Sequence, residues 1–266
     1  MSYGAVYTSM YYSDAYYNSG SHAYHFDGSK YWEYSNHAVA IVGWNDDYSR
    51  TNFSTTPPGD GAFIVRNSWG TAWGEDGYFY VSYYDSNIGT ENFVFRGAES
   101  TTHYSRVYQY DPLGWATSVG YKKTTAWFAN VFTAAADEEL SAISFYTASP
   151  KSRFTVYIYK NTTSGPRSGT LAGKMKGKIA TAGYHTLSME SPIFLPSGET
   201  FSVVVKLKTP KYKYPIPIES PMYNYSSLAA ANSGESYVSR NGKDWSDLSS
   251  IYSDANVCLK AFATTP

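Results

Sequence analysis

From Arg153 to Lys160 the chain reads RFTVYIYK, an alternation that places Phe154, Val156 and Ile158 on one side of an extended backbone and Thr155, Tyr157 and Tyr159 on the other. The same pattern recurs in TTAWFANVFTA, LSAISFYTA, TFSVVVKLK and NVCLKAFA, with intervening clusters such as TTSGPRSG and YKYPIPIESP whose Gly and Pro residues cannot continue a ladder. No long helical stripe interrupts it. A chain patterned this way can hide its apolar side chains only by pairing strands and stacking sheets, which predicts an antiparallel β-sandwich from about 104 to 266. The 18% of aromatic residues, 28 of them Tyr, against 16% charged, suits twisted sheets better than helices. Asn241-Gly242 is the strongest short hairpin signal in the chain.

The first hundred residues are patterned less evenly. AVYTSMY alternates from the outset, with Val6, Thr8 and Met10 on one face, so the chain opens inside a strand and looks cut from a longer one. Residues 13–36, rich in Tyr, Ser, Asn and Gly, read as a long surface loop. Three clearer strands follow at His37–Trp44, Gly61–Asn67 and Gly77–Tyr84, the first two apolar on both faces. Pro57, Pro58 and Gly59 make the first connection a loop, and Gly70, Gly74 and Gly77 let the second turn tightly. The pattern lapses after FVFRG, which sets a domain boundary near Glu99 to Ser105.

Several function classes are disfavoured at once. Lys plus Arg is 21 and Asp plus Glu is 22, a net charge of -1, so no electrostatic footprint points to nucleic acid or anionic lipid as a partner. No signal-peptide pattern and no run of about 18 apolar residues is present, so no membrane association is expected. A single cysteine, Cys258, permits no internal disulfide and no zinc site built from cysteine pairs. His22, His25 and Asp27 lack further ligands to make a metal site and read as surface residues. Asp46, Asp47 and Asp60 could offer oxygen ligands to calcium, but without EF-hand spacing they read as solvated. No cofactor and no metal is expected. Tyr157, Tyr159 and Trp245 could form a ligand platform, although strand aromatics most often serve packing.

Pairing the first two strong strands, with Trp44 opposite Asp60, carries the register inward until His37 lies across from Asn67. An imidazole and a carboxamide in that position are what a cysteine nucleophile needs, one to take the thiol proton and one to orient the ring. NHAVAIVGW at 36–44 and RNSWGTAWGEDGYFYV at 66–81 together resemble the catalytic-His and catalytic-Asn segments of the papain family of cysteine peptidases. The resemblance implies that His37 is the general base and acid, that Asn67 orients it, and that Trp69 shields their hydrogen bond from water. It further implies that Trp73 lines the leaving-group side of the cleft and that Asn36 and Ala38 contact substrate.

In that family a helical half bearing the nucleophilic Cys and an oxyanion-hole Gln precedes the His-bearing half. The first 34 residues here contain neither Cys nor Gln, and Cys258 sits in a strand of the other domain, where a buried thiol is ordinarily a small hydrophobe. The expected fold is therefore mainly β from an α+β parent: the β-rich half of a papain-like fold over 1–99, then a β-sandwich over 104–266. That second part, beginning VYQYDPLGW, is similar to the lectin-like domain of some exported prokaryotic members. The resemblance implies peptide or protein substrates, a Cys-bearing N-terminal half as possible partner, glycan or cell-wall polymer as ligand of 104–266, and an extracellular or cell-surface location. The isolated chain is expected to be inactive, and the uncovered apolar face of its first domain to favour self-association or a partner chain. The alternative expectation is a non-catalytic glycan or cell-surface binding module that keeps the peptidase remnant as scaffold.

Overall fold

The computed structural model describes residues 4–28 and 35–266, so the stretch of the Tyr-rich segment at 29–34 lies outside the described residues. The protein is mainly β and divides into two compact units, residues 1–99 and 100–266. No helix among the described residues is long and apolar enough to cross a membrane.

The first unit holds β1 (Val6–Met10), β2 (Tyr17–Asn18), β3 (Ala23–Tyr24), β4 (His37–Asn45), β5 (Ala62–Arg66), β6 (Tyr78–Ser82) and β7 (Asn92–Val94). They form one sheet in the order β2-β3-β6-β5-β4-β1-β7, in which β3 and β6 run parallel and the other neighbours antiparallel. Alternation decides the core: Val39 and Ile41 of β4, Val65 of β5, Phe79 and Val81 of β6 and Met10 of β1 pack together. The other face of β4, at Ala38 and Val42, is exposed.

Two expectations for this unit are corrected. The segment expected as a surface loop is at the surface only in part: residues 13–22 are exposed or half-buried, whereas Ala23, Tyr24, His25 and Phe26 are all buried. The buried Asp85 carboxylate holds the segment by accepting the Phe26 N–H at 2.9 Å while also accepting those of Asn87 and Ile88. His25, expected at the surface, is thus inside. The β4–β5 register also differs: Trp44 faces Phe63 rather than Asp60, and Ala40 faces Arg66. The Asp60 carboxylate is held outside the ladder by the Arg50 N–H at 2.9 Å, and Val42 forms a bulge between Ile41 and Gly43.

The second unit contains β8 (Arg106–Tyr108), β9 (Thr117–Val119), β10 (Thr125–Thr133), β11 (Glu138–Thr147), β12 (Ser152–Lys160), β13 (Thr170–Ile179), β14 (Gly183–Leu195), β15 (Thr200–Lys208), β16 (Ile216–Glu219), β17 (Ser236–Ser239), β18 (Ser246–Asp247), β19 (Asn256–Val257) and β20 (Leu259–Thr264). A six-stranded sheet, β13-β12-β15-β10-β17-β18, shares a core with a four-stranded sheet, β14-β11-β20-β8, and a three-stranded one, β19-β16-β9. Phe128, Val156, Ile158, Val203 and Val205 of the large sheet meet Leu140, Ile143, Phe145 and Leu259 of the second. In VYQYDPLGW the Tyr108 hydroxyl donates to Glu138, the Tyr110 hydroxyl donates to the Val131 carbonyl, and Asp111 pairs with Lys260 at 2.9 Å. The β17–β18 hairpin is closed by residues 240–245 rather than by a two-residue turn, with the Asn241 carboxamide oxygen accepting the Lys243 and Asp244 N–H groups.

Candidate active site

His37 opens β4 and pairs with Met10 of β1, which puts its side chain on the same face as Val39 and Ile41 at the open end of the core. Asn67 follows the last residue of β5, and its backbone N–H is bound by the Gly77 carbonyl at 2.9 Å. In the observed register Asn67 is a diagonal neighbour of His37 on the same face, a separation that long side chains can bridge. His37 Nε2 lies 2.9 Å from Asn67 Oδ1.

The same Oδ1 accepts the Ser68 backbone N–H at 2.7 Å. A backbone amide can only donate, so the atom facing it is the carboxamide oxygen and the amide cannot be flipped. That oxygen can only accept, so in the neutral ring the proton sits on Nε2 and the lone pair on Nδ1. Nδ1 makes no hydrogen bond with a described residue. The ring is therefore set as a base on its Nδ1 edge.

An aromatic cluster encloses this pair. The Trp69 indole lies 4.7 Å from the His37 ring, centroid to centroid, and is 46% exposed on its outer side. Trp73 meets Trp69 edge-on at 5.1 Å, stacks with Tyr17 at 5.0 Å and touches Phe79 at 5.1 Å, so it is a bridge between the cluster and the core. The connection from Trp69 to Trp73 closes through Gly74 and Gly77, both at positive φ; a Cβ on Gly74 would lie 2.4 Å from the Tyr78 carbonyl oxygen. Asn36 turns toward β1, where its Oδ1 accepts the Tyr12 N–H at 2.7 Å and its Nδ2 donates to the Tyr12 carbonyl at 3.0 Å. Ala38 is exposed beside it.

Tyr12 is a member of this site that the sequence did not single out. Its ring lies 5.7 Å from His37 and meets Trp69 edge-on at 4.9 Å. Burial, together with the Asp14 carboxylate that accepts its hydroxyl, pushes the phenol above its ordinary range and keeps it protonated. The available signal was its place just past β1, the strand that pairs with His37.

Other sequence candidates fall elsewhere. Cys258 is buried between β19 and β20, where burial and the Asp111 carboxylate push its thiol far above the ordinary value. His22 Nδ1 contacts the Tyr17 hydroxyl at 3.1 Å, and the buried His25 has its basicity lowered by burial. Asp46 accepts the Tyr83 hydroxyl at 2.7 Å. Among the described residues no three His, Cys, Asp or Glu side chains converge as a metal site would require.

In the second unit Tyr157 and Tyr159 lie on the outer face of β12, but Tyr159 is buried, its hydroxyl accepting from Arg167 Nε at 2.9 Å. A pocket of about 530 Å³ is lined by Tyr159, Arg167, Tyr237, Lys243 and Trp245. The Trp245 indole N–H is buried and has no hydrogen-bond partner among the described residues.

Comparison with known proteins fits both units. Residues 1–97 match the papain family of cysteine proteases and residues 107–263 match the lectin-like domain family. The chain is 28% identical to Cwp84, a clostridial cysteine protease solved after propeptide cleavage, with a TM-score of 0.83 over 99% of this chain and 66% of that one. A structure of the cysteine protease and lectin-like domains of Cwp84, a surface layer associated protein of Clostridium difficile, superimposes with a TM-score of 0.81 at 28% identity, covering 99% of this chain and 59% of that one. A cysteine protease of Blomia tropicalis is 43% identical over 61 residues, 23% of this chain and 15% of the relative, and fruit bromelain of Ananas comosus is 46% identical over 43 residues, 16% and 10%. The chain thus spans about a tenth to a seventh of these two relatives and at most two thirds of the solved structures. The chain belongs to the lectin-like domain family through residues 107–263, joined to a first unit whose residues 1–97 match the papain family of cysteine proteases.

Proposed function

We propose that residues 1–99 form the His/Asn half of a papain-like cysteine endopeptidase site, and that these 266 residues by themselves hydrolyse no peptide bond. The observation that carries this is the His37–Asn67 hydrogen bond with the carboxamide fixed by the Ser68 N–H. In the reaction His37 Nδ1 takes the proton of a cysteine thiol. The thiolate attacks the scissile carbonyl, and the imidazolium protonates the leaving amine. His37 then removes a proton from the water that releases the acyl group. Asn67 holds the ring throughout, Trp69 keeps water off their hydrogen bond, Trp73 lines the leaving-group side, and Asn36 and Ala38 present backbone to the peptide.

The thiol must come from a Cys-bearing helical segment outside these residues, because Cys258 is buried and held protonated. The similarity to a surface layer associated protease supports a cell-surface location and protein substrates.

The test is the native mass of the protein taken from its source, followed by a thiol-reactive active-site label and a fluorogenic peptide. A Cys-bearing partner or segment that takes the label is the expected result. Peptide hydrolysis by the 266 residues alone, or labelling of native Cys258, would overturn the reading. A second reading, that residues 100–266 bind glycan, is favoured by the Trp245 pocket with its unpartnered indole donor and by the lectin-like match. Loss of glycan retention in Trp245→Ala would support it.

A further inference from the structure

Strand register gathers charge in a way that the total of -1 conceals. Side chains opposite the sandwich core on β13, β12 and β15 include Lys174, Lys176, Lys178, Arg153, Lys206 and Lys208. Arg153 stands directly between Lys178 and Lys208, and Thr155 between Lys176 and Lys206. Successive cations along a strand are about 6.6–6.8 Å apart. The neighbouring strand β10 adds Thr125 opposite Lys208 and Trp127 opposite Lys206. No Asp or Glu occurs anywhere in β10, β12, β13 or β15, and none of the six cations forms an ion pair with a described residue. Part of this face is dished into a pocket of about 370 Å³ lined by Thr125, Arg153, Thr155, Lys206 and Lys208.

Like charges placed directly across strands repel, so a face of this kind weakens the isolated fold and is relieved by a polyanion. We propose that the outer face of the six-stranded sheet binds a polyanionic polysaccharide, whose carboxylate, sulfate or phosphate groups lie along these cations. This rests on the reading of residues 100–266 as a glycan-binding module and adds the charge class and the surface. Glycan is favoured over single-stranded nucleic acid because Lys174, Lys206 and Arg167 cover the rings of Tyr157 and Trp127 at 5.3–5.8 Å, removing the open faces that bases stack upon. It is favoured over a bilayer because Thr155 lies between the cations and Thr125 beside them, where a lipid-facing surface would carry aliphatic side chains.

The test measures binding of the whole chain to heparin and polygalacturonate as polyanionic probes, to neutral dextran, to an oligonucleotide and to phosphatidylserine vesicles. Heparin and polygalacturonate are expected to bind, with affinity falling about tenfold or more between 50 and 200 mM salt. The K174E/K176E/K178E variant should lose about tenfold or more, and K206Q/K208Q, which keeps the strand pattern, should move in the same direction. Melting curves of both variants establish that they are folded. Salt-independent binding of dextran as tight as that of polygalacturonate, or unchanged polyanion binding by both folded variants, overturns the cationic face and leaves the glycan module standing. Binding of no glycan overturns both. Tighter binding of the oligonucleotide or of the vesicles overturns the assignment to polysaccharide.

Discussion

The imidazole site of the first unit and the cationic face of the second are both laid out on alternate residues of antiparallel strands, but they concentrate chemistry differently. At His37 one hydrogen bond, a carboxamide fixed by a backbone donor, and two indoles determine a single proton's position. On the sheet face six cations stand together, and none is fixed by an ion pair with a described residue. The first arrangement is specific and fragile, whereas the second is redundant and weak per residue.

Substitutions should expose that contrast. With a Cys-bearing segment completing the site, His37→Ala should lower kcat/KM by about 10³–10⁴-fold, read with a fluorogenic peptide. On the inner side of the cationic sheet Phe128, fully buried, should cost about 3–5 kcal/mol when changed to Ala, measured by denaturant unfolding of the second unit. Asn67→Ala keeps the base but frees the ring, and should lower kcat about 10²-fold with little change in KM.

A smaller effect is expected with pH. Burial lowers the basicity of His25 below its ordinary 6.5, so between that value and its lower folded value the unfolded chain binds more protons. Stability of the first unit should therefore be full above about 6.5 and decline as pH falls below it, and His25→Gln should flatten that part of the melting profile. Smallest of all, Lys176→Gln alone should leave stability within about 0.5 kcal/mol, since it removes only one of several exposed charges.

The two regions were also unequally legible. His37 and Asn67 stood out because their flanking Trp and Gly residues form a contiguous motif. Their contact was anticipated although the assumed register was wrong, because near His37 the true pairing differs by two positions and so preserves the face; a slip of one would have turned Asn67 to the other side. The burial of Tyr24, His25 and Phe26 was not legible, since β3 is only two residues long and pairs in parallel with a strand more than fifty residues away. Nor was the cationic face, because Lys174, Arg153 and Lys206 are distant in sequence and only the pairing of β12 with β13 on one side and β15 on the other brings them together.

The Ser68 N–H that locks the Asn67 carboxamide has a consequence for assembly. An unlocked Asn and a freely turning imidazole would each have to be frozen when the nucleophile arrives, at about 0.5–1.5 kcal/mol per side chain. Here both are already settled, so under the proposed function a Cys-bearing segment would join His37 and Asn67 by rigid docking, at a speed that should follow encounter rather than rearrangement.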